Sequence, residues 1–107
     1  MLVNEGKKII MDQGDYGLPL TMKITKNNGQ IINSDTILFK IIRNNETIIN
    51  KEFNGLKIDD NDILFFVFSL SKKESEKLSA GSYKYEIKAY RNDVYLNTLI
   101  ENTFRVK

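Results

Sequence analysis

Apolar and polar residues alternate along most of this chain, a period of two that is typical of β-strands with one buried face. The run at residues 83–90 is clear, since Tyr83, Tyr85 and Ile87 alternate there with charged residues. Turn-forming residues, such as Asn27-Asn28-Gly29 and Asn44-Asn45, separate such runs at intervals of roughly ten residues, the spacing expected of an antiparallel sandwich. We therefore predict an all-β antiparallel sandwich in a single domain, residues 1–107. Its strands, about seven, are predicted at residues 7–11, 18–25, 36–43, 47–53, 63–70, 83–90 and 94–106.

One segment departs from the alternation and predicts a short helix before the last hairpin. Ser71 and Glu74 have the spacing of a capping box, in which each side chain binds the backbone amide of the other residue. Gly81 suits the end of the helix, because glycine readily adopts the left-handed conformation that follows a last helical turn. We expect about two helical turns between these positions.

The run at residues 63–70 is unusual because both of its faces are apolar. Ile63, Phe65 and Val67 alternate with Leu64, Phe66, Phe68 and Leu70. One face of such a strand should point away from the core of a two-layer sandwich. Two explanations stand open: the helical segment at 71–80 or a loop covers that face, or Leu64, Phe66 and Phe68 contribute to a subunit interface.

The absence of histidine and cysteine limits the chemistry of the chain. Serine–histidine and cysteine–histidine nucleophilic catalysis both require an imidazole base. Pairs of carboxylates remain, such as Glu74 with Glu76 or Asp12 with Asp15, but nothing in the sequence places either pair in a buried cleft. We therefore expect no enzymatic activity, no catalytic residue and no cofactor.

The acidic segment Asp59-Asp60-Asn61-Asp62 is the one candidate for a cation site. It lacks the glycine and the distal glutamate of an EF-hand loop, since Leu70 stands at the twelfth position from Asp59. A solvated turn is the simpler interpretation, and no metal is expected.

Charge and hydropathy bear on the partners. The chain has 16 basic and 14 acidic residues spread along its length, whereas a nucleic-acid surface concentrates its basic residues. No apolar run approaches the ~20 residues of a membrane span, and the N-terminal segment has no signal-peptide core. We expect protein partners, identical or different, and neither nucleic acid nor membrane.

Tyr90 and Tyr95 flank the predicted turn at residues 91–93 and are free to face outward. Exposed aromatic rings can stack on sugars or on single-stranded nucleic acid, so this pair is a candidate ligand contact. Tyr83 and Tyr85 share the parity of Ile87 and are predicted to lie in the core.

The segment Ala80-Gly81-Ser82-Tyr83, placed between a capped helix and a strand, resembles the tyrosine corner of immunoglobulin-like domains. In those domains the tyrosine hydroxyl binds the backbone a few residues upstream. The resemblance implies an immunoglobulin-like sandwich in which Tyr83 has this structural role.

Short segments over nearly the whole chain match a further pattern: Gly14-Asp15 before Leu18-Pro19-Leu20, Asn28-Gly29-Gln30-Ile31, Phe39-Lys40-Ile41, Gly81-Ser82-Tyr83, Tyr85-Glu86-Ile87 and Phe104-Arg105-Val106. In this arrangement the chain resembles the immunoglobulin-like N-terminal domains of phage and prophage tail and baseplate proteins, such as the upper-baseplate protein family. The resemblance implies a non-enzymatic assembly module that contacts itself or other virion subunits, located in the virion or in the bacterial cytoplasm during assembly. The alternative is a carbohydrate-binding or adhesin-type sandwich.

Overall fold

The computed structural model describes residues 3–5, 7–24 and 31–107. Within these ranges the chain forms nine strands and one helix, and the runs predicted from alternation are all strands. The predicted turn at residues 27–29 and the segment at 28–31, apart from residue 31, lie outside the described residues. The elements are β1 (Val3–Glu5), β2 (Lys8–Met11), β3 (Leu20–Ile24), β4 (Thr36–Arg43), β5 (Glu46–Phe53), β6 (Lys57–Ile58), β7 (Leu64–Phe68), α1 (Lys72–Glu76), β8 (Gly81–Arg91) and β9 (Val94–Val106).

Two sheets pack face to face as a β-sandwich. The large sheet has the strand order β1-β2-β9-β8-β4-β5, and the small sheet has the order β3-β7-β6. In the immunoglobulin scheme, β4, β8 and β9 correspond to strands C, F and G, β5 extends that sheet as C′ does, and β3, β7 and β6 correspond to B, E and D. The strand order confirms the predicted immunoglobulin-like sandwich.

One pairing differs from the expected all-antiparallel arrangement. Strand β2 runs parallel to β9, with Ile9 opposite Phe104 and Met11 opposite Val106. Parallel neighbours need a long connection, and these two strands lie at opposite ends of the chain, so no hairpin dictates their direction. Local sequence patterns therefore contain no signal for this pairing.

Two tight turns define the register of the large sheet. Asn44 and Asn45 join β4 to β5 with φ of 53° and 63°, and Asn92 and Asp93 join β8 to β9 with φ of 50° and 64°. Positive φ at both central residues is the mark of a type I′ hairpin turn, and Asn and Asp tolerate that conformation better than other residues with a Cβ. Both turns coincide with those predicted from the sequence.

The core between the sheets is built around stacked aromatic rings. Phe39 of the large sheet stacks on Phe68 of the small sheet at 4.2 Å between centroids and on Tyr85 at 5.4 Å. Burial raises the pKa of the Tyr85 phenol to about 12. The Tyr85 hydroxyl donates a hydrogen bond to the Lys7 carbonyl oxygen, which attaches the beginning of β2 to the core.

The helix begins as predicted but ends earlier. Ser71 is the N-cap and forms both hydrogen bonds of the capping box with Glu74. The helix ends at Glu76 with Lys77 as its C-cap, so the prediction that Gly81 ends it was wrong. Gly81 instead opens β8 with φ of 145°, where a Cβ would lie 2.8 Å from Arg43 Nη2. Glycine is required here because it adopts this backbone conformation at the first residue of β8 and leaves room for the Arg43 side chain, not because it caps the helix.

Candidate interaction surface

The residues predicted to contribute to an interface lie in the core instead. Leu64 and Phe68 have no exposed surface, and Phe66 keeps only 7%. Phe66 packs against Phe53 of the large sheet with ring centroids 4.8 Å apart. The structure therefore corrects the prediction: these side chains point toward the large sheet and fill the sandwich. The reason is register, since Leu64, Phe66 and Phe68 pair with the inward-facing residues of β3.

The opposite parity of β7 forms the outer surface of the small sheet. Phe65 is half-buried there, and Val67 is 54% exposed. Lys23 and Lys57 lie directly across from Phe65 on the two neighbouring strands, and Thr21 lies across from Val67. We call these five residues the β7 face. It combines an exposed aromatic and aliphatic pair with two flanking ammonium groups.

A hollow of about 230 Å³ adjoins this face and is lined by residues 53–57 and 65–67. It exists because β6 is short: only Lys57 and Ile58 pair with β7, opposite Phe65 and Leu64. Gly55, with φ of 63°, lies in the segment that connects β5 to β6. We call this hollow the β7 groove. Its lining is mainly apolar, with Phe53, Leu56 and Val67 among the contributing side chains.

The outward face of β8 in the large sheet is of the opposite character. Lys84 Nζ lies 3.1 Å from Glu86 Oε1 and 2.8 Å from Glu101 Oε1, and Lys88 Nζ lies 3.3 Å from Glu86 Oε2. Burial would raise the pKa of Glu86, but hydrogen bonds from Lys84 and Lys88 outweigh it and lower that pKa. We call these four residues the charge ladder. The Lys84–Glu101 pair is exposed and contributes little stability, whereas the Glu86 side chain is only 12% exposed.

The two tyrosines proposed as a ligand contact lie side by side at the end of the β8–β9 hairpin. Their rings meet edge to face at 5.8 Å, with Tyr95 51% exposed and Tyr90 half-buried. Lys88 Nζ lies 5.8 Å from the centroid of the Tyr95 ring, and the Tyr95 hydroxyl is hydrogen-bonded to Thr98 Oγ1 at 2.7 Å. A depression of about 200 Å³ lies beside Tyr90 and is lined by Thr36, Leu38, Glu52, Tyr90 and Asp93. Tyr95 does not line it.

Tyr83 forms the contacts expected of a tyrosine corner. Its hydroxyl donates to the Ser79 carbonyl oxygen at 2.9 Å and accepts from Arg43 Nη1 at 3.2 Å. The Arg43 guanidinium also lies over the Tyr83 ring, 4.8 Å from its centroid. These contacts fasten the segment after the helix to the beginning of β8 and to the end of β4.

An ion pair between the buried carboxylate of Asp35 and the partly exposed guanidinium of Arg91 joins the segment before β4 to the end of β8. Arg91 Nε and Nη2 donate to Asp35 Oδ1 and Oδ2 at 2.8 and 2.9 Å, and the Ile32 amide donates to Oδ2 at 2.9 Å. The hydrogen bond from Arg91 lowers the pKa of Asp35, whose side chain is 1% exposed. Sequence reasoning missed this pair because 56 positions separate the two residues and neither belongs to a recognisable motif.

Two of the acidic candidates, Asp59 and Glu74, are engaged in local structure. Asp59 Oδ1 accepts hydrogen bonds from the Asn61 and Ile63 amides at 2.9 and 3.0 Å, so this carboxylate organises its own turn. Glu74 Oε1 accepts from Lys51 Nζ at 2.9 Å, which ties the helix to β5. Within residues 3–5, 7–24 and 31–107, no three acidic side chains form a group that could hold a metal ion. Over the same ranges, no helix is long and apolar enough to cross a membrane.

Comparisons with known proteins add little to this description of the surface. No protein family matches the chain, and no curated protein matches it. Among solved structures it is similar to Drosophila OTK, extracellular domains 3–5, with 13% sequence identity and a TM-score of 0.34. The match covers 92% of this chain and 31% of that one, so the chain spans about a third of its length. Likeness at this level supports no argument, and the fold assignment rests on strand order and register.

Proposed function

We propose that this chain is a non-enzymatic protein–protein interaction module and serves as a structural component of a phage or prophage tail or baseplate. The observation that carries the interaction role is the β7 face, where Phe65 and Val67 lie exposed or half-exposed beside an apolar groove. Large apolar side chains grouped on one surface mark association sites in soluble proteins. The virion role rests on the motif resemblance described above.

The rest of the molecule suits a rigid assembly unit. Aromatic stacking between the sheets, the capped helix and the tyrosine corner each hold one conformation in place. A rigid backbone loses little conformational entropy on binding, which favours stable assembly. The partner surface is then presented by β7, the central strand of the small sheet.

Cross-linking within assembled particles tests both halves of the proposal. Position 67 would carry the photo-reactive residue p-benzoylphenylalanine, and position 94 would carry it as the matched control, since Val67 and Val94 are both exposed, at 54% and 62%. We expect the chain in purified particles and a cross-linked partner from position 67 alone. A chain absent from particles would overturn the virion role, and equal cross-linking from both positions would overturn the choice of surface.

A carbohydrate-binding role is the second candidate, because the depression beside Tyr90 combines an aromatic ring with the hydroxyl of Thr36 and the carboxylates of Glu52 and Asp93. Rings and hydrogen-bonding groups in one concavity are what sugar recognition requires. A glycan array with the wild type, Tyr90→Ala and Tyr95→Ala tests it. An assembly module should bind none of the glycans, whereas a lectin should lose binding in Tyr90→Ala.

A further inference from the structure

We propose that the β7 groove binds an extended acidic segment of the partner protein, which adds as a strand beside β7. This inference rests on the proposed interaction role and gives the partner segment its chemistry. Three observations carry it: the backbone left open by β6, the size and lining of the groove, and the charges of the β7 face.

The first observation is a gap in the small sheet. Strand β3 pairs with β7 from Leu64 to Phe68, whereas β6 pairs only with Leu64 and Phe65. Among the described residues, no strand therefore pairs with positions 66–68 of β7 on the β6 side. The gap ends at Ser69, whose carbonyl oxygen accepts a hydrogen bond from Lys51 Nζ. An exposed sheet edge is a template for an added strand, which forms main-chain hydrogen bonds with it.

The second observation is the groove itself. Its volume of about 230 Å³ lies below the roughly 300–1,000 Å³ typical of small-molecule pockets. Residues 53–57 and 65–67 give it a mainly apolar lining. A strand laid along β7 places alternate side chains on one side, so one apolar side chain can enter the groove while its neighbours face away. The groove therefore fits an anchoring side chain of a peptide better than a cofactor.

The third observation is charge. Lys23 and Lys57 are both exposed and lie on either side of Phe65. Within the part of the chain that the structure describes, neither ammonium group is in an ion pair. A two-fold contact between two copies through this face would place like charges together, which opposes association. An acidic partner removes that repulsion, so the occupant is a different, acidic segment and not a second copy of this face.

Peptides of simple design suffice for the test, because main-chain hydrogen bonds supply much of the affinity in strand addition. The probe is a capped peptide of about seven residues in which valine alternates with aspartate and glutamate. The matched control carries lysine at each acidic position. Backbone amide spectra of the isotope-labelled chain report both where the peptide binds and whether the fold is intact.

We expect the acidic peptide to shift the amides of residues 54–57 and 65–69 and to slow amide hydrogen exchange at alternate positions of 66–68, those whose N–H groups point away from β3. The basic peptide should bind at least about tenfold more weakly, and the double variant Lys23→Glu, Lys57→Glu should reverse that preference. Raising the salt concentration should weaken binding of the acidic peptide. Val67→Glu should weaken it as well, whereas Val94→Glu should leave it unchanged.

Three results would overturn the inference: no shifts at about millimolar peptide, equal binding of the acidic and basic peptides, or shifts confined to β5, the other exposed edge on this side of the sandwich. The outcomes separate this inference from the proposed function. If position 67 cross-links in particles but the peptide does not bind, the strand-addition inference alone fails. If the peptide binds but the chain is absent from particles, the virion role fails and the groove remains a binding site.

Discussion

The two outer surfaces of the sandwich differ in the residues that they present to solvent. Each is the solvent side of a sheet, where alternation should place polar residues. On β8 of the large sheet the outward residues Lys84, Glu86 and Lys88 are charged, and the charge ladder joins β8 to β9 through Glu101. On the small sheet the corresponding positions of β7 are Phe65 and Val67.

The difference shows that the second apolar face of β7 is not a requirement of folding. The inward parity already fills the core, as the stacking of Phe68 on Phe39 shows. Neither the helix nor a loop buries Val67, which is 54% exposed. The apolar outward residues of β7 differ from the charged outward residues of β8, and this asymmetry supports the proposed interaction role.

The largest expected effect comes from two adjacent residues of β7 that face opposite ways. Phe68→Ala removes a fully buried ring from the aromatic stack and should lower the free energy of unfolding by about 3–5 kcal/mol. Val67→Ala, the matched control, should change it by no more than about 0.5 kcal/mol. Urea denaturation of both variants measures the difference. Similar losses in both would break the assignment of inner and outer faces.

The next effect compares the ion pair of the buried Asp35 carboxylate with the exposed Lys84–Glu101 pair of the charge ladder. Asp35→Asn removes the charge that Arg91 binds through two hydrogen bonds and should lower the free energy of unfolding by about 2 kcal/mol. The folded-state pKa of Asp35 is lowered from 3.8, mainly by the hydrogen bond from Arg91. Its contribution is therefore fully present above that value and is lost as pH falls through the lowered pKa.

Urea titrations of the wild type and Asp35→Asn between neutral and acid pH test this pH dependence of stability. The gap between the two proteins should be widest near neutrality and narrow below pH 3.8. A gap that stays constant with pH would mean that the charge of Asp35 is not what stabilises the fold.

A smaller effect is expected at the tyrosine corner. Tyr83→Phe keeps the ring beneath the Arg43 guanidinium but removes the hydroxyl that donates to the Ser79 carbonyl oxygen. The loss should be about 1 kcal/mol in thermal or urea unfolding. Tyr95→Phe is the control, because the Tyr95 hydroxyl lies on the exposed surface with Thr98 and should contribute much less.

Local signals in the sequence predicted much of this architecture. The strand at 36–43 has the predicted bounds, and the turn at Asn44-Asn45 and the capping box at Ser71 are as expected. Each of these depends on residues close together in the chain, where spacing and backbone preference act directly. The corner hydrogen bond of Tyr83 is equally local, since its partner is Ser79.

Which face of β7 forms the outer surface could not be predicted in the same way, because it depends on the register of strand pairing. Both parities of β7 are apolar, so alternation alone does not say which one is buried. The pairing of Phe66 with Met22, itself fully buried, decides it. The two-residue length of β6 and the distant partner of Asp35 likewise follow from tertiary packing. The sequence-based prediction therefore selected the residues of β7 that face the core.

The smallest expected effect tests the charged side of the comparison. Glu101→Gln removes one member of the charge ladder, where the Lys84 and Glu101 side chains are 48% and 53% exposed. A hydrated pair at such a site should change the free energy of unfolding by less than about 0.5 kcal/mol, and less at high salt. Urea unfolding at low and high salt measures both. A loss several times larger, insensitive to salt, would indicate that these charges are desolvated in solution. The large sheet would then be the covered surface, and the proposed contrast with the β7 face would be reversed.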